Sequence, residues 1–330
     1  MATDDSLERG GGGRSRAHAR FVFASPVESE IAARLRELGV EVEENGALRG
    51  DELRRAASRA DVLVTKSWQS IDADVLGEAK GRLRVLVQAS SGVDNIDSAA
   101  AAEVGVEILA VDPGNATSVA ELTIAAMLAL LRGLPGHWRR TAAGSWPDRE
   151  KLSDREARGM SIGLVGIGRV GSRVAKRAAA LEMRPIAYDP YADPERFERC
   201  GAVREPALER LLAQSEILSL HCPLTDETRG MIRERELALL PGSAFLLNTA
   251  RGGIVDENAL KLALDEGRLA GAALDVYATE PPPGGGLLAH PLVLPTPHLA
   301  GHTLESHEAR KANLLDAVCD LARRFAPETP

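Results

Sequence analysis

Short apolar runs alternate with longer stretches of helical spacing along most of this chain. Residues 21–24 read as a buried strand, 26–38 as a helix closed by Gly39, 62–65 as a strand, 73–80 as a helix and 83–87 as a strand. Alternation of this kind implies parallel strands covered by helices. The turn-rich Asp112-Pro113-Gly114 then marks a crossing into a second domain. A long helix is predicted over 116–131, with Ser118 and Glu121 at capping-box spacing and Gly133 and Pro135 as its stop. It is apolar nearly all round, which predicts burial inside the chain or against a second subunit. Further apolar runs follow at 162–165, 185–188, 217–220, 244–247, 272–274 and 292–294. An amphipathic helix over 305–325 has no strand after it and is expected to fold back on the first unit. The organisation read from this pattern is a polar, disordered tail (1–18), a discontinuous smaller domain (19–112 and 303–330) and a second domain (113–302).

What stands directly after each apolar run of the second domain is the informative regularity. In order these are Gly166, Asp189, His221, Asn248 with Thr249 and Arg251, Asp275, and Thr296 with His298. In a parallel sheet the carboxyl ends of the strands share one edge, and ligands bind outside that edge. Gly166, Gly168 and Gly171 fall at G-x-G-x-x-G spacing between a strand and a helix. Asp189 ends the next strand, about 20 residues on, where a ribose-binding acid belongs. Dinucleotide phosphates would rest on the free N–H groups opening that helix.

Composition adds limits. With 330 residues, 44% hydrophobic and 27% charged, the chain suits two ordinary globular domains. A net charge of -8 argues against a nucleic-acid surface. No stretch is long and apolar enough to span a bilayer, the first residues do not resemble a signal peptide, and Cys200, Cys222 and Cys319 show no paired or metal-ligand spacing. The expectation is a cytoplasmic protein with no metal, no membrane and no nucleic-acid partner.

Three residues carry candidate chemistry. Arg251, in Asn248-Thr249-Ala250-Arg251-Gly252-Gly253, offers a permanently charged fork for a carboxylate, and its small neighbours let the backbone approach a ligand. His298, in Pro295-Thr296-Pro297-His298-Leu299-Ala300-Gly301, is a proton donor and acceptor suited to neutral pH. Glu280, before three prolines, reads by itself as a solvated loop residue; in the company of His298 it is a carboxylate that could orient an imidazole.

These segments, with Leu274-Asp275-Val276-Tyr277-Ala278-Thr279-Glu280-Pro281, Ser91-Gly92-Val93-Asp94-Asn95-Ile96-Asp97 and Gly114-Asn115-Ala116-Thr117-Ser118-Val119-Ala120-Glu121, strongly resemble the D-isomer-specific 2-hydroxyacid dehydrogenase family. The resemblance runs from about Phe21 to the C-terminal helix. It implies a Rossmann-type doubly wound NAD-binding domain plus a smaller flavodoxin-like α/β substrate domain, and a homodimer formed through the NAD-binding domain. It also implies that Arg251 holds the substrate's carboxylate and carbonyl oxygen, that His298 exchanges the proton, that Glu280 supports His298, and that Asp275 bonds the nicotinamide carboxamide. The implied cofactor set is Gly166, Gly168, Arg169, Val170, Gly171, Asp189, His221, Cys222, Pro223, Thr249, Ala250, Arg251, Asp275, His298 and Gly301. The implied set for a small 2-oxo or 2-hydroxy acid is Lys66, Trp68, Ser90, Ser91, Gly92, Val93, Arg251 and His298. Asp189 bonds a ribose 2′-hydroxyl and repels a 2′-phosphate, which selects NAD over NADP.

The family's 3-phosphoglycerate dehydrogenases resemble the chain most, yet they carry arginine where it has Lys66 and Gln88. Gln88 removes a cation from an expected phosphate site, and no regulatory serine-binding domain is expected after the last helix. The reading therefore leans to a general D-2-hydroxyacid dehydrogenase, with phosphoglycerate oxidation or hydroxypyruvate/glyoxylate reduction as alternatives. A formate-oxidising relative and an NAD-sensing co-repressor are the remaining readings, the first disfavoured by the Glu280 and His298 pair.

Overall fold

The structure, a computed structural model, describes residues 18–90, 92–146, 148, 150 and 152–325. The expected tail falls almost wholly outside them, as does Ser91. The chain divides into two units, one of residues up to 112 plus those from 310, the other Pro113–Ala309. The division falls between Asp112 and Pro113 and again at Arg310, inside the unbroken helix Leu304–Phe325.

In the first unit the strands are β1 (Arg20–Phe23), β2 (Glu41–Glu44), β3 (Val62–Thr65), β4 (Val85–Gln88) and β5 (Glu107–Ala110), all parallel, in the order β2-β1-β3-β4-β5. That is the flavodoxin-like order, with its switch between β1 and β3. Helices α1 (Ser29–Glu37), α2 (Gly50–Arg59), α3 (Ala73–Glu78) and α4 (Ser98–Val104) connect them. One face of the sheet buries Leu53, Ala57, Leu76 and Ala101 from α2 to α4, and the other buries Ile31 and Leu35 from α1.

The second unit opens with α5 (Ala116–Leu131) and α6 (Leu134–Ala142). Its strands are β6 (Ser161–Val165), β7 (Arg184–Tyr188), β8 (Val203–Arg204), β9 (Ile217–Leu220), β10 (Phe245–Asn248), β11 (Gly271–Leu274) and β12 (Val293–Pro295), with α7 (Arg169–Ala180), α8 (Pro194–Cys200), α9 (Leu208–Gln214), α10 (Glu234–Leu239) and α11 (Glu257–Asp265) between them. The order β12-β11-β10-β9-β6-β7-β8, again all parallel, is the doubly wound arrangement with its switch between β6 and β9. Helices α5, α7 and α8 cover one face, and α9, α10 and α11 the other. The final helix, α12 (Leu304–Phe325), packs Leu314, Val318 and Leu321 against the α1 face of the first sheet.

One expectation at α5 is corrected. Ser118 and Glu121 form no capping box, since Asn115 is the N-cap and Ser118 lies inside the first turn, where its hydroxyl pairs with Thr303 at 2.9 Å. Glu121 instead meets Arg177 of α7 at 3.0 Å. Within the chain Ala125 of α5 is exposed and Ile124, Leu128 and Leu130 are half-buried. Among the described residues no single helix is long and apolar enough to cross a membrane.

Candidate active site

The strand register of the second unit lines up the residues singled out from the sequence. Val165 pairs with Tyr188 and Leu220, Leu220 with Asn248, Asn248 with Leu274, and Leu274 with Pro295. The next residues of those strands, Gly166, Asp189, His221, Thr249, Asp275 and Thr296, therefore leave the sheet along one edge.

At the switch point the three glycines differ in what surrounds them. Gly166 has φ +91, and a Cβ there would stand 2.8 Å from the backbone of His221 and Cys222, so this turn needs glycine twice over. A Cβ on Gly171 would lie 2.1 Å from the carbonyl of Gly166, so that residue lets α7 pack against β6. Above Gly168 there is open space within 4 Å. A turn, an open approach and a helix contact are the three requirements of a pyrophosphate cradle. Arg169 is exposed and Val170 half-buried as α7 begins. Asp189 ties this turn to its own loop, with Oδ2 accepting from Ile167 N–H at 2.9 Å and Oδ1 from Tyr191 N–H at 3.0 Å.

His221 and Cys222 form the inner wall. The imidazole Nε2 shares a hydrogen bond with the Ser219 hydroxyl at 2.9 Å, while Nδ1 is buried without a partner. Burial pushes its pKa down to about 3, so His221 is neutral and packs rather than exchanging protons. Burial also pushes the Cys222 thiol up to about 12, which leaves it unreactive. The exposed Pro223 accepts from Thr228 Oγ1 through its carbonyl at 2.6 Å, which shapes the loop that follows.

The loops after β10, β11 and β12 interlock. Asn248 is 1% exposed; its amide donates to the Arg251 carbonyl at 2.9 Å and its Oδ1 accepts from Ala250 N–H at 3.1 Å. Thr249 pairs with Thr123 of α5 at 2.9 Å. Arg251 is half-buried, and its guanidinium donates to the Ala250 carbonyl at 2.8 Å. A Cβ on Gly252 would stand 1.9 Å from the backbone of Tyr277. Gly252 thus admits the Tyr277 backbone, and the contact sets the Arg251 loop against the one carrying Glu280.

Glu280 Oε2 accepts from His298 Nδ1 at 2.6 Å, and its Oε1 accepts from Tyr277 N–H at 3.0 Å. With Nδ1 donating to the carboxylate, Nε2 is the nitrogen left for proton exchange. The His298 side chain is 47% exposed. Asp275, 2% exposed, accepts from Thr296 Oγ1 at 2.6 Å and from the N–H groups of Leu299 and Ala300 at 2.9 Å each. Its carboxylate organises the loop that presents His298, a role not read from sequence. Tyr277 escapes the sequence reading as well: its hydroxyl donates to the carbonyls of Leu274 and Thr296, both at 2.9 Å. A Cβ on Gly301 would come 2.5 Å from the Asn115 side-chain amide, which would have to shift to admit it. Among the described residues no group of three or more His, Cys, Asp or Glu gathers as a metal-ligand set.

In the first unit Lys66 follows β3 at the switch point. It is half-buried, its Nζ lies 3.5 Å from the Pro26 carbonyl, and burial with Arg310 nearby lowers its pKa. Trp68 is 39% exposed beneath the Arg49 guanidinium, 4.7 Å from its ring centroid. Ser90 Oγ donates to the Gly92 carbonyl at 3.1 Å, and Gly92 and Val93 are half-buried. Gln88 is fully buried, bonded to Thr65, Gly92 and Asn95, and pegs this loop in place.

A glycine cradle at the switch point with an acid beside it defines the second unit as dinucleotide-binding. Residues 124–300 match the profile of the D-isomer specific 2-hydroxyacid dehydrogenase, NAD binding domain. A D-3-phosphoglycerate dehydrogenase of Archaeoglobus fulgidus is 40% identical over 288 residues, 87% of this chain and 54% of that protein. The crystal structure of a Thermus thermophilus protein, 34% identical, superposes with TM-score 0.81 over 94% of this chain and 99% of its own. That of a D-lactate dehydrogenase from Aquifex aeolicus, complexed with NAD and lactic acid, is 26% identical with TM-score 0.82 over 93% and 96%. The chain belongs to the D-isomer specific 2-hydroxyacid dehydrogenase family. It spans about half the length of the curated relatives it matches.

Proposed function

We propose that the protein is an NAD-dependent D-2-hydroxyacid dehydrogenase, interconverting a small 2-hydroxy acid and its 2-oxo acid. The observation that carries this reading is the 2.6 Å pair of His298 and Glu280 held beside the Arg251 loop on the same strand edge as the glycine cradle. Nicotinamide, when bound, supplies or accepts the hydride. The chain's own residues do the rest. Arg251 receives the substrate carboxylate and steadies the carbonyl oxygen as it gains negative charge. His298 delivers a proton from Nε2 to that oxygen, or takes it in the reverse direction, while Glu280 fixes the ring and balances its charge.

A second reading, oxidation of 3-phosphoglycerate, is favoured by the names of the curated relatives, such as the one 40% identical. A panel of 2-oxo acids with NADH, and of 3-phosphoglycerate and D-lactate with NAD, separates the two. His298→Ala should abolish turnover while NADH still binds; turnover surviving in that variant removes His298 from the proton's path. Cofactor preference should be for NAD, on account of Asp189.

We also infer a homodimer through the second unit. Helix α6 buries none of its own residues, and Leu134, Trp138 and, just beyond it, Trp146 are 53%, 72% and 79% exposed. Large apolar side chains gathered this way mark an association surface. The three free thiols support a reducing compartment, the cytoplasm.

A further inference from the structure

In the sheet of the second unit β6 lies between β9 and β7, so the loops leaving β7 and β9 flank the glycine turn that leaves β6. These two loops are joined: the Tyr191 hydroxyl donates to Glu227 Oε2. Tyr191 is in turn anchored on the ribose-recognising acid, through its N–H to Asp189 Oδ1. A carboxylate far along the chain is thereby held at the same end of the cradle as Asp189. Burial does not account for the pair, because Tyr191 is 78% exposed and Glu227 is exposed too. Asp189 has each of its oxygens accepting a backbone N–H, which offsets part of its charge. The bond to Glu227 also holds the Tyr191 phenol above its ordinary pKa, so it remains a donor at working pH.

We propose that the Tyr191–Glu227 pair is a second determinant of cofactor selectivity, in which Glu227 adds its negative charge to that of Asp189 against the 2′-phosphate of NADP. The inference rests on dinucleotide binding at the glycine turn and goes beyond it, because rejection of NADP then does not depend on Asp189 alone. A 2′-phosphate carries nearly two charges, so removing one neighbouring carboxylate from a solvent-exposed rim is worth about fivefold in affinity at low salt, and less as salt rises.

Dissociation constants of NADH and NADPH, measured by the fluorescence of the bound reduced nicotinamide on the full chain at low ionic strength, test it. Glu227→Gln should lower the ratio of the NADPH constant to the NADH constant about fivefold, with NADH binding nearly unchanged. Asp189→Asn with Glu227→Gln should lower it further than Asp189→Asn does. Tyr191→Phe, which keeps the charge and cuts the tether, should give a smaller fall. Asp226→Asn, which removes the adjacent exposed carboxylate, should leave the ratio unaltered. A ratio in Glu227→Gln within twofold of the unmodified protein overturns the proposal, and so does an equal fall in Asp226→Asn. Failure of the unmodified protein to bind NADH refutes the underlying cofactor reading instead.

Discussion

His298 stands at φ +53, a left-handed conformation that costs a non-glycine residue about 1–3 kcal/mol unless its surroundings hold it there. What holds it is Asp275, whose carboxylate takes the N–H groups of Leu299 and Ala300 and the Thr296 hydroxyl. The imidazole is therefore aimed by two acids, Glu280 on the ring and Asp275 on the backbone behind it. Asp275→Asn leaves one acceptor oxygen for those three donors. We expect kcat to fall about a hundredfold, a loss of about 2.7 kcal/mol in transition-state stabilisation; a kcat within twofold of the unmodified enzyme would show that the loop is held by other contacts. His221 makes a prediction of opposite kind. Its folded pKa is about 3, against about 6.5 in the unfolded chain, so between those values only the unfolded chain binds the proton. This group's contribution to stability is full above pH 6.5 and is lost as pH falls through that window. Denaturant titrations at pH 7 and pH 5 should show His221→Asn losing less stability on acidification than the unmodified protein, by about 2 kcal/mol; equal losses would mean that the ring is hydrated.

Among loops and strands, the junction of Gly252 with Tyr277 decides most about the site. Gly252→Ala places a methyl group 1.9 Å from a backbone carbon, which cannot yield as a flexible side chain would. The two loops must part, at a cost of about 1–3 kcal/mol or more. The expected outcome is a lower thermal midpoint together with a kcat reduced at least tenfold, and normal values of both would disprove the close approach. Nothing near residue 252 in the sequence reveals this contact, because its partner lies 25 positions away. The strands themselves are legible where they are buried on both faces, as in β3, β9 and β10. At the sheet edges β12 is legible as an apolar run, but β2 and β8 are not. Strand β2 reads Glu-Val-Glu-Glu and β8 is Val-Arg, both exposed or half-buried, so neither shows an apolar run. Such edge strands are recognised by their parallel register with a neighbour, which is a non-local fact.

Association of two chains would bury the apolar surface of α6, and here a charge is the sharpest probe. Trp138→Glu should shift the mass measured by light scattering from dimer to monomer, since burying an unpaired carboxylate at an interface costs several kcal/mol. A monomeric unmodified protein, or a dimer unaffected by the substitution, would dismiss α6 as the contact. The long apolar helix α5 carries a hint of this surface, but the tryptophans of the next segment carry the larger exposed area.

Short-range pattern along the chain was enough to read strands alternating with helices in two units, the glycine turn at Gly166–Gly171 and the strand-end positions of Asp189, Arg251 and His298, because a strand ends, the chain turns and a polar residue is presented at a parallel edge. Glu280 joined Arg251 and His298 in that reading only through the resemblance to the family. The interlocking of those pieces followed from packing between distant segments. Asp275 behind His298, Gly252 against Tyr277, Gln88 as an internal peg and Tyr191 tethering Glu227 all join residues that composition and spacing leave independent. The physical reason is one of range. A turn or a strand end is encoded within a few residues, whereas the partner of a buried carboxylate or a contacting glycine is selected by the folded backbone that brings it near.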